Sequence, residues 1–311
     1  MTMILFDWDD DELQTLLEIC KYFLLSANVL LFLTAAFVFF ISSTSETNSV
    51  SSSTTTAQYK RALLVTAHPD DESMFFLPLL HSLQSKQDDN KSNDHWQTHL
   101  LCLSRGNYDG LGNVREKELQ ACATYIGLSM DHAHVLEDPE LQDGMNTQWD
   151  EAHIACIVLN YVEKNEIDAV FTFDDYGVSG HPNHIATYYG VKRAIREQHE
   201  KCNAAVANEV TKETKVVRGW ALESTNILRK YVGLLDTALS LWLSRQSKDE
   251  RQLVFIFRPL WNYNAMALHQ SQFVWYRRLF VAFSRYTFIN TFRPLLSVDA
   301  TDHSAAHKKT Q

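Results

Sequence analysis

Twenty consecutive residues without a charge, Tyr22 to Ile41, divide this 311-residue chain. As a helix rising about 1.5 Å per residue they would span about 30 Å, the thickness of a bilayer's hydrocarbon core. A cleaved signal peptide has a basic leader and a shorter apolar core. Here the leader is acidic, with Asp7, Asp9, Asp10, Asp11, Glu12 and Glu18 and no basic residue in the first twenty positions. The run is therefore expected to be a retained transmembrane helix, residues 22–41, behind an acidic segment, 1–21. A buried core helix and a cleaved leader are the competing readings.

Residues 42–58 hold twelve Ser or Thr in seventeen positions and have nothing to bury, so they read as a linker. A folded domain is expected over 59–298 and a polar tail over 299–311. The first basic pair beyond the span is Lys60 and Arg61. Basic residues stay preferentially cytoplasmic, which puts the domain on the cytosolic side of a single-pass protein. Five scattered cysteines, with no C-x-x-C pair, make neither a disulfide framework nor a thiolate zinc site and fit a reducing compartment. The sequon Asn90-Lys91-Ser92 would be silent there. A net charge of -10 argues against general nucleic-acid binding.

Within the domain, strand and helix signals alternate. Strands are expected at 62–66, 99–103, 135–136, 168–173, 220–223 and 253–257. Helices are expected at 74–84, 114–126, 152–164 and 185–199, with a surface loop at 203–215. The pattern predicts an α/β fold, Rossmann-like, with a mostly parallel sheet flanked by helices. In such sheets ligands bind beyond the carboxyl ends of the strands. His68-Pro69-Asp70-Asp71-Glu72 follows the first strand, and His181-Pro182-Asn183-His184 follows the 168–173 strand. Both clusters thus fall on one sheet edge. Imidazole and carboxylate suit zinc and related divalent metals, and two His with one Asp leave positions open for water and substrate. Asp70 and Asp71 are adjacent and cannot point the same way, so one can ligate while the other takes a proton. The bland reading is a set of unconnected surface residues. Asp174 and Asp175, at the end of the 168–173 strand, are candidates to orient His181 or His184.

These segments, with Ser104-Arg105-Gly106-Asn107, Arg115-Glu116-Lys117-Glu118-Leu119, Asp138 to Gly144 and His269-Gln270-Ser271-Gln272, resemble the LmbE-like, or PIG-L, deacetylase family over roughly Arg61 to Phe292. The resemblance implies hydrolysis of the N-acetyl group of GlcNAc-phosphatidylinositol, the second step of GPI-anchor synthesis, at the endoplasmic reticulum membrane. It implies a divalent metal, with zinc the expected ion, held by His68, Asp71 and His184. Asp70 corresponds to the general base. His181 corresponds to the group that stabilises the oxyanion and protonates the amine. Arg115 and Asp143 correspond to substrate-contacting positions, against a plain reading as a helix-surface Arg and a turn Asp. Asn183 replaces the Asp of many relatives at a non-ligand position. Two alternatives stay open: a deacetylase of a soluble amino-sugar conjugate, and a membrane-tethered binder without chemistry.

From Arg258 to Val298 there are five Arg and no acidic residue, and Gln272 to Phe292 holds eight aromatics. This stretch is expected either to be a buried core helix or to lie against anionic lipid headgroups.

Overall fold

The structure, a computed structural model, describes residues 60–88, 96–207, 215–246 and 250–296, together with Glu18, Lys21 and Tyr22. Beyond Tyr22, the expected transmembrane run lies outside the described residues. So do the 42–58 linker, the 299–311 tail and nearly all of the acidic segment. No helix among the described residues is long and apolar enough to cross a membrane.

In chain order the elements are β1 (Lys60–Thr66), α1 (Asp71–Phe75), α2 (Leu77–Asp88), β2 (Trp96–Cys102), α3 (Gly112–Tyr125), β3 (Ala133–Val135), α4 (Glu151–Asn165) and β4 (Ala169–Phe173). They continue with α5 (Pro182–Ala207), β5 (Arg218–Leu222), α6 (Ile227–Tyr231), α7 (Asp236–Gln246), β6 (Gln252–Phe255), α8 (Pro259–Ala267), α9 (Trp275–Phe283) and β7 (Ile289–Pro294). The strands form one sheet in the order β3-β2-β1-β4-β5-β7-β6. The first five are parallel, and β7 runs antiparallel to both β5 and β6.

The expected mostly parallel α/β sheet is present. Residues Ala62 to Thr66 of β1 are all buried, as a parallel strand covered by helices on both faces must be. Asp150 caps α4 by accepting from the Ala152 N–H at 3.0 Å. Strand order reverses between β1 and β4, so the loops after these two strands open into the same crevice.

Three expectations need correction. The single helix expected from Met74 is two, broken at Phe76. The loop expected from Asn203 starts later, because α5 runs to Ala207. Over its described residues, 258–296, the C-terminal stretch is neither one core helix nor one interfacial segment. It is α8, α9 and a strand, β7, inserted between β5 and β6. The strand was hidden because Asn290, Thr291 and Arg293 break its apolar run, and its pairing partners are remote in sequence.

Candidate metal centre

After β1 the chain turns through His68, Pro69 and Asp70 into α1. Asp70 has a φ of 121°, rare for a residue with a side chain. It occupies the N-cap of α1 yet makes no side-chain capping bond, which leaves its carboxylate to the pocket. Asp71 turns the other way. Its Oδ2 accepts from the backbone N–H groups of Ala67 at 3.0 Å and His68 at 2.8 Å. Burial alone would raise the Asp71 carboxyl, but the His184 and His68 imidazoles hold it well below the usual carboxylate range.

After β4, Asp174 builds the second loop. Its Oδ1 accepts from the Gly177 N–H at 3.1 Å and its Oδ2 from the Ser224 N–H at 2.6 Å. Gly177 has a φ of 63°, and a Cβ there would lie 2.6 Å from the Cβ of His184. Only glycine permits this approach. It lets His184 Nδ1 donate to the Gly177 carbonyl at 3.0 Å. Asp174 therefore acts on His184 through the loop backbone and touches neither histidine, while Asp175 pairs with Arg293.

With its proton on Nδ1, His184 carries a lone pair on Nε2. That atom is buried, has no hydrogen-bond partner, and faces Asp71 Oδ1 at 3.1 Å. Two lone pairs face each other in a buried site, an arrangement that a cation stabilises. His68 Nε2 lies 3.0 Å from Asp143 Oδ1 and 3.2 Å from Asn183 Oδ1, and that amide oxygen also accepts from the Gly144 N–H at 3.3 Å. Two acceptors require the proton on Nε2, so His68 Nδ1 is left to ligate, 3.9 Å from Asp71 Oδ2. Against the lowering effect of burial, the Asp143 hydrogen bond and the surrounding carboxylates raise the His68 imidazole. The residues present thus fit a divalent cation.

Ligand atoms of His68, His181 and His184 all lie within 4.8 Å of one another, which offers a three-histidine set instead. The tautomer of His181 argues against it. Its Nδ1 accepts from the Asn183 N–H at 3.2 Å, so Nε2 carries the proton and serves as a donor. Burial and the neighbouring His68 and His184 push His181 down to about 4. Asp71, already aimed at His184, is the better third ligand. A second close cluster, Glu72, Cys122 and His269, is fully buried. There His269 Nε2 is hydrogen-bonded to Glu72 Oε1 at 2.5 Å, and burial raises the Cys122 thiol, so this is a hydrogen-bonded core and not a thiolate site.

The remaining residues brace the centre. Arg115 is buried behind the pocket. It donates to the carbonyls of Gly106 at 2.9 Å and Pro69 at 2.8 Å, and its guanidinium lies 3.5 Å from Asp70 and 3.4 Å from Asp143. It positions both carboxylates. Asp143 orients His68. Arg277 of α9, one of the five Arg in the stretch that the sequence left open between core and lipid-facing, turns inward. It ion-pairs with Asp70 and donates to Gln272 Oε1 at 3.0 Å. Ser271 donates from its N–H and Oγ to Glu118 at 2.7 and 2.6 Å, and Glu72 Oε2 accepts from the Asp70 N–H at 3.1 Å. The His269 to Gln272 motif therefore ties α1, α3 and α9 together. The only signal for this in the sequence was the motif itself.

His68, Asp70, Asp71, Arg115, Asp143, His181, His184 and Arg277 all line one pocket of about 370 Å3. It adjoins a groove of about 1160 Å3 through Ser179, Lys230 and Tyr231.

Residues 63–195 match the family model described as PIG-L: GlcNAc-PI de-N-acetylase. A protein of Schizosaccharomyces pombe named "Probable N-acetylglucosaminyl-phosphatidylinositol de-N-acetylase" is 39% identical over 72% of this chain and 82% of its own length. A Bos taurus protein named N-acetylglucosaminyl-phosphatidylinositol de-N-acetylase is 38% identical over 74% of this chain and 82% of its own. Among solved structures, N,N'-diacetylchitobiose deacetylase from Pyrococcus horikoshii shares the fold, with a TM-score of 0.52 at 14% identity, covering 76% of this chain and 83% of that one.

Proposed function

The chain belongs to the PIG-L, or GlcNAc-PI de-N-acetylase, family, and from that premise we propose that it hydrolyses the N-acetyl group of GlcNAc-phosphatidylinositol, releasing acetate and leaving GlcN-phosphatidylinositol. The observation that carries this reading is Asp71 Oδ1 facing the bare Nε2 of His184, with the Asp70 carboxylate, ion-paired to Arg277, in the same pocket. His68, Asp71 and His184 would hold the metal, with zinc the expected ion for this donor set. A divalent metal, when bound there, supplies Lewis-acid polarisation of water and of the amide carbonyl.

The chain's own groups do the rest. Asp70 accepts the proton of the attacking water, its carboxylate steadied by Arg277 and Arg115. His181 offers Nε2–H to the carbonyl oxygen as charge develops there. As the C–N bond breaks, the proton that Asp70 took from water passes to the departing amine, and the acetyl group leaves with the water oxygen as acetate. The groove beside the pocket has room for the inositol phosphate beyond the sugar. In the cell, the uncharged run 22–41 would anchor the chain in the endoplasmic reticulum membrane with this domain on the cytosolic face.

The test is acetate release from GlcNAc-phosphatidylinositol by the full chain. Wild type should release acetate, and Asp70→Asn should release about a thousand-fold less. Undiminished turnover by Asp70→Asn would remove Asp70 as the base. Turnover of acetylated sugars without the lipid alone would favour the soluble-conjugate reading.

A further inference from the structure

One face beside the pocket mouth is built against the usual rules of a soluble surface. On α9, Trp275, Leu279 and Phe283 are 73%, 49% and 57% exposed; on α6, Ile227 and Leu228 are 73% and 76% exposed. The opposite side of α9 is buried through Phe280 and Val281. The two helices form one surface. The rings of Tyr231 and Phe280 meet edge to face at 6.1 Å, and the Gly233 turn sits against the Phe283 carbonyl. Large apolar side chains exposed on two adjoining helices call for an occupant.

We propose that α6 and α9 together dock the domain onto the surface of an anionic lipid bilayer, so that the pocket mouth opens at the headgroup level. Three observations select lipid. The first is charge: Ser224 to Leu235 and Arg251 to Leu296 contain no Asp or Glu, and Arg278 is exposed beside Trp275 and Leu279 on α9, while Lys230 of α6 is turned onto the Val178 carbonyl. An acid-free surface with an exposed guanidinium beside aromatics complements anionic headgroups. The second is residue type. Trp and Tyr carry an apolar body and a polar tip, and they collect where hydrocarbon meets water. The third is continuity. Tyr231, Tyr276, Arg277 and Phe280 line the catalytic pocket from the same two helices, so a sugar on a membrane lipid enters from this face.

The structure also limits the surface. Arg285 is fully buried and paired with Asp236 at 2.6 Å, Arg277 is turned onto Asp70, and β7 is inside the sheet. The docking face is therefore the outer side of two short helices and not the whole basic C-terminal stretch. The inference rests on the substrate being lipid-linked.

The test uses the full chain reconstituted in phosphatidylcholine–phosphatidylserine vesicles containing lipids brominated on the upper acyl chain. Wild type minus Trp275→Phe isolates the fluorescence of Trp275, which should be quenched. The double variant Ile227→Ser/Leu279→Ser should lower kcat/KM for GlcNAc-phosphatidylinositol in vesicles about ten-fold. It should leave hydrolysis of the acyl-free, water-soluble headgroup within about two-fold of wild type. An unquenched Trp275 overturns the proposal, whether the face is covered by a second copy or by another segment of the chain. So does an equal loss on both substrates. If wild type hydrolyses neither substrate, the functional reading falls, and the quenching of Trp275 alone decides the docking.

Discussion

The guanidinium of Arg277 is ion-paired with the carboxylate of Asp70, a contact between residues 207 positions apart. The pair puts a cation from a partly exposed helix onto the carboxylate proposed as the general base. Gln272 holds the same guanidinium nitrogen from the other side.

Removing that cation should cost turnover without costing metal. Arg277→Gln should lower kcat/KM about ten- to hundred-fold, and Arg277→Lys should recover part of the loss, because an ammonium restores charge but not the fork of donors. Steady-state kinetics beside metal analysis of each variant reads this out. Unchanged kinetics in Arg277→Gln would mean that the pair is incidental.

The ligand assignment separates three histidines by what else they bind. His184→Ala and Asp71→Ala should lose stoichiometric metal and activity together. His181→Ala should keep its metal and lose activity, since its Nδ1 is already taken by the Asn183 N–H. Asn183→Ala should weaken metal binding about ten- to hundred-fold by freeing the His68 ring. Elemental analysis after dialysis against a chelator is the measurement, and metal-free His181→Ala would restore the three-histidine set.

Stability tests the buried pair behind the site. His269 and Glu72 are both fully buried, and His269→Ala strands the carboxylate without its partner. The loss should be about 3–5 kcal/mol in denaturant unfolding, and smaller for His269→Gln, which keeps a donor. Equal destabilisation by Ala and Gln would show that volume, not the hydrogen bond, is what matters there.

A pH effect is expected away from the metal. Burial first, then His132, Arg61 and His134, push His99 down to about 4. The unfolded chain takes up this proton near pH 6.5 while the folded chain does not, so stability falls as pH drops through the window from about 6.5 to 4. The loss attributable to His99 is at most about 3 kcal/mol. Wild type should lose more stability than His99→Gln between pH 7 and pH 4.5, and parallel losses would remove His99 as the cause.

What was legible in the sequence was local. His68, Asp70 and Asp71 follow a strand directly, and His181 and His184 follow another after a short turn. A parallel sheet brings such loops together whatever else the chain does. What was hidden depended on long-range packing. The inward turn of Arg277 and the His269–Glu72 bond need the C-terminal third in place, and the bracing by Arg115 joins it to Pro69, 46 positions upstream. Strand β7 was hidden for the same reason, as its buried Asn290 bonds to α1 and α2, far upstream.

Asn290 on that strand donates to the Phe75 carbonyl at 2.8 Å and accepts from the Leu79 N–H at 3.1 Å, spanning the break between α1 and α2. Synthesis runs from the N-terminus, so the loop bearing His68, Asp70 and Asp71 leaves the ribosome some two hundred residues before the strand that fixes it. A nascent chain carries those side chains on a turn that Arg115 braces but that is not tied across the α1–α2 break until Asn290 emerges. A translation product truncated ahead of β7 would carry the proposed ligands without Asn290, the side chain that joins the end of α1 to the start of α2.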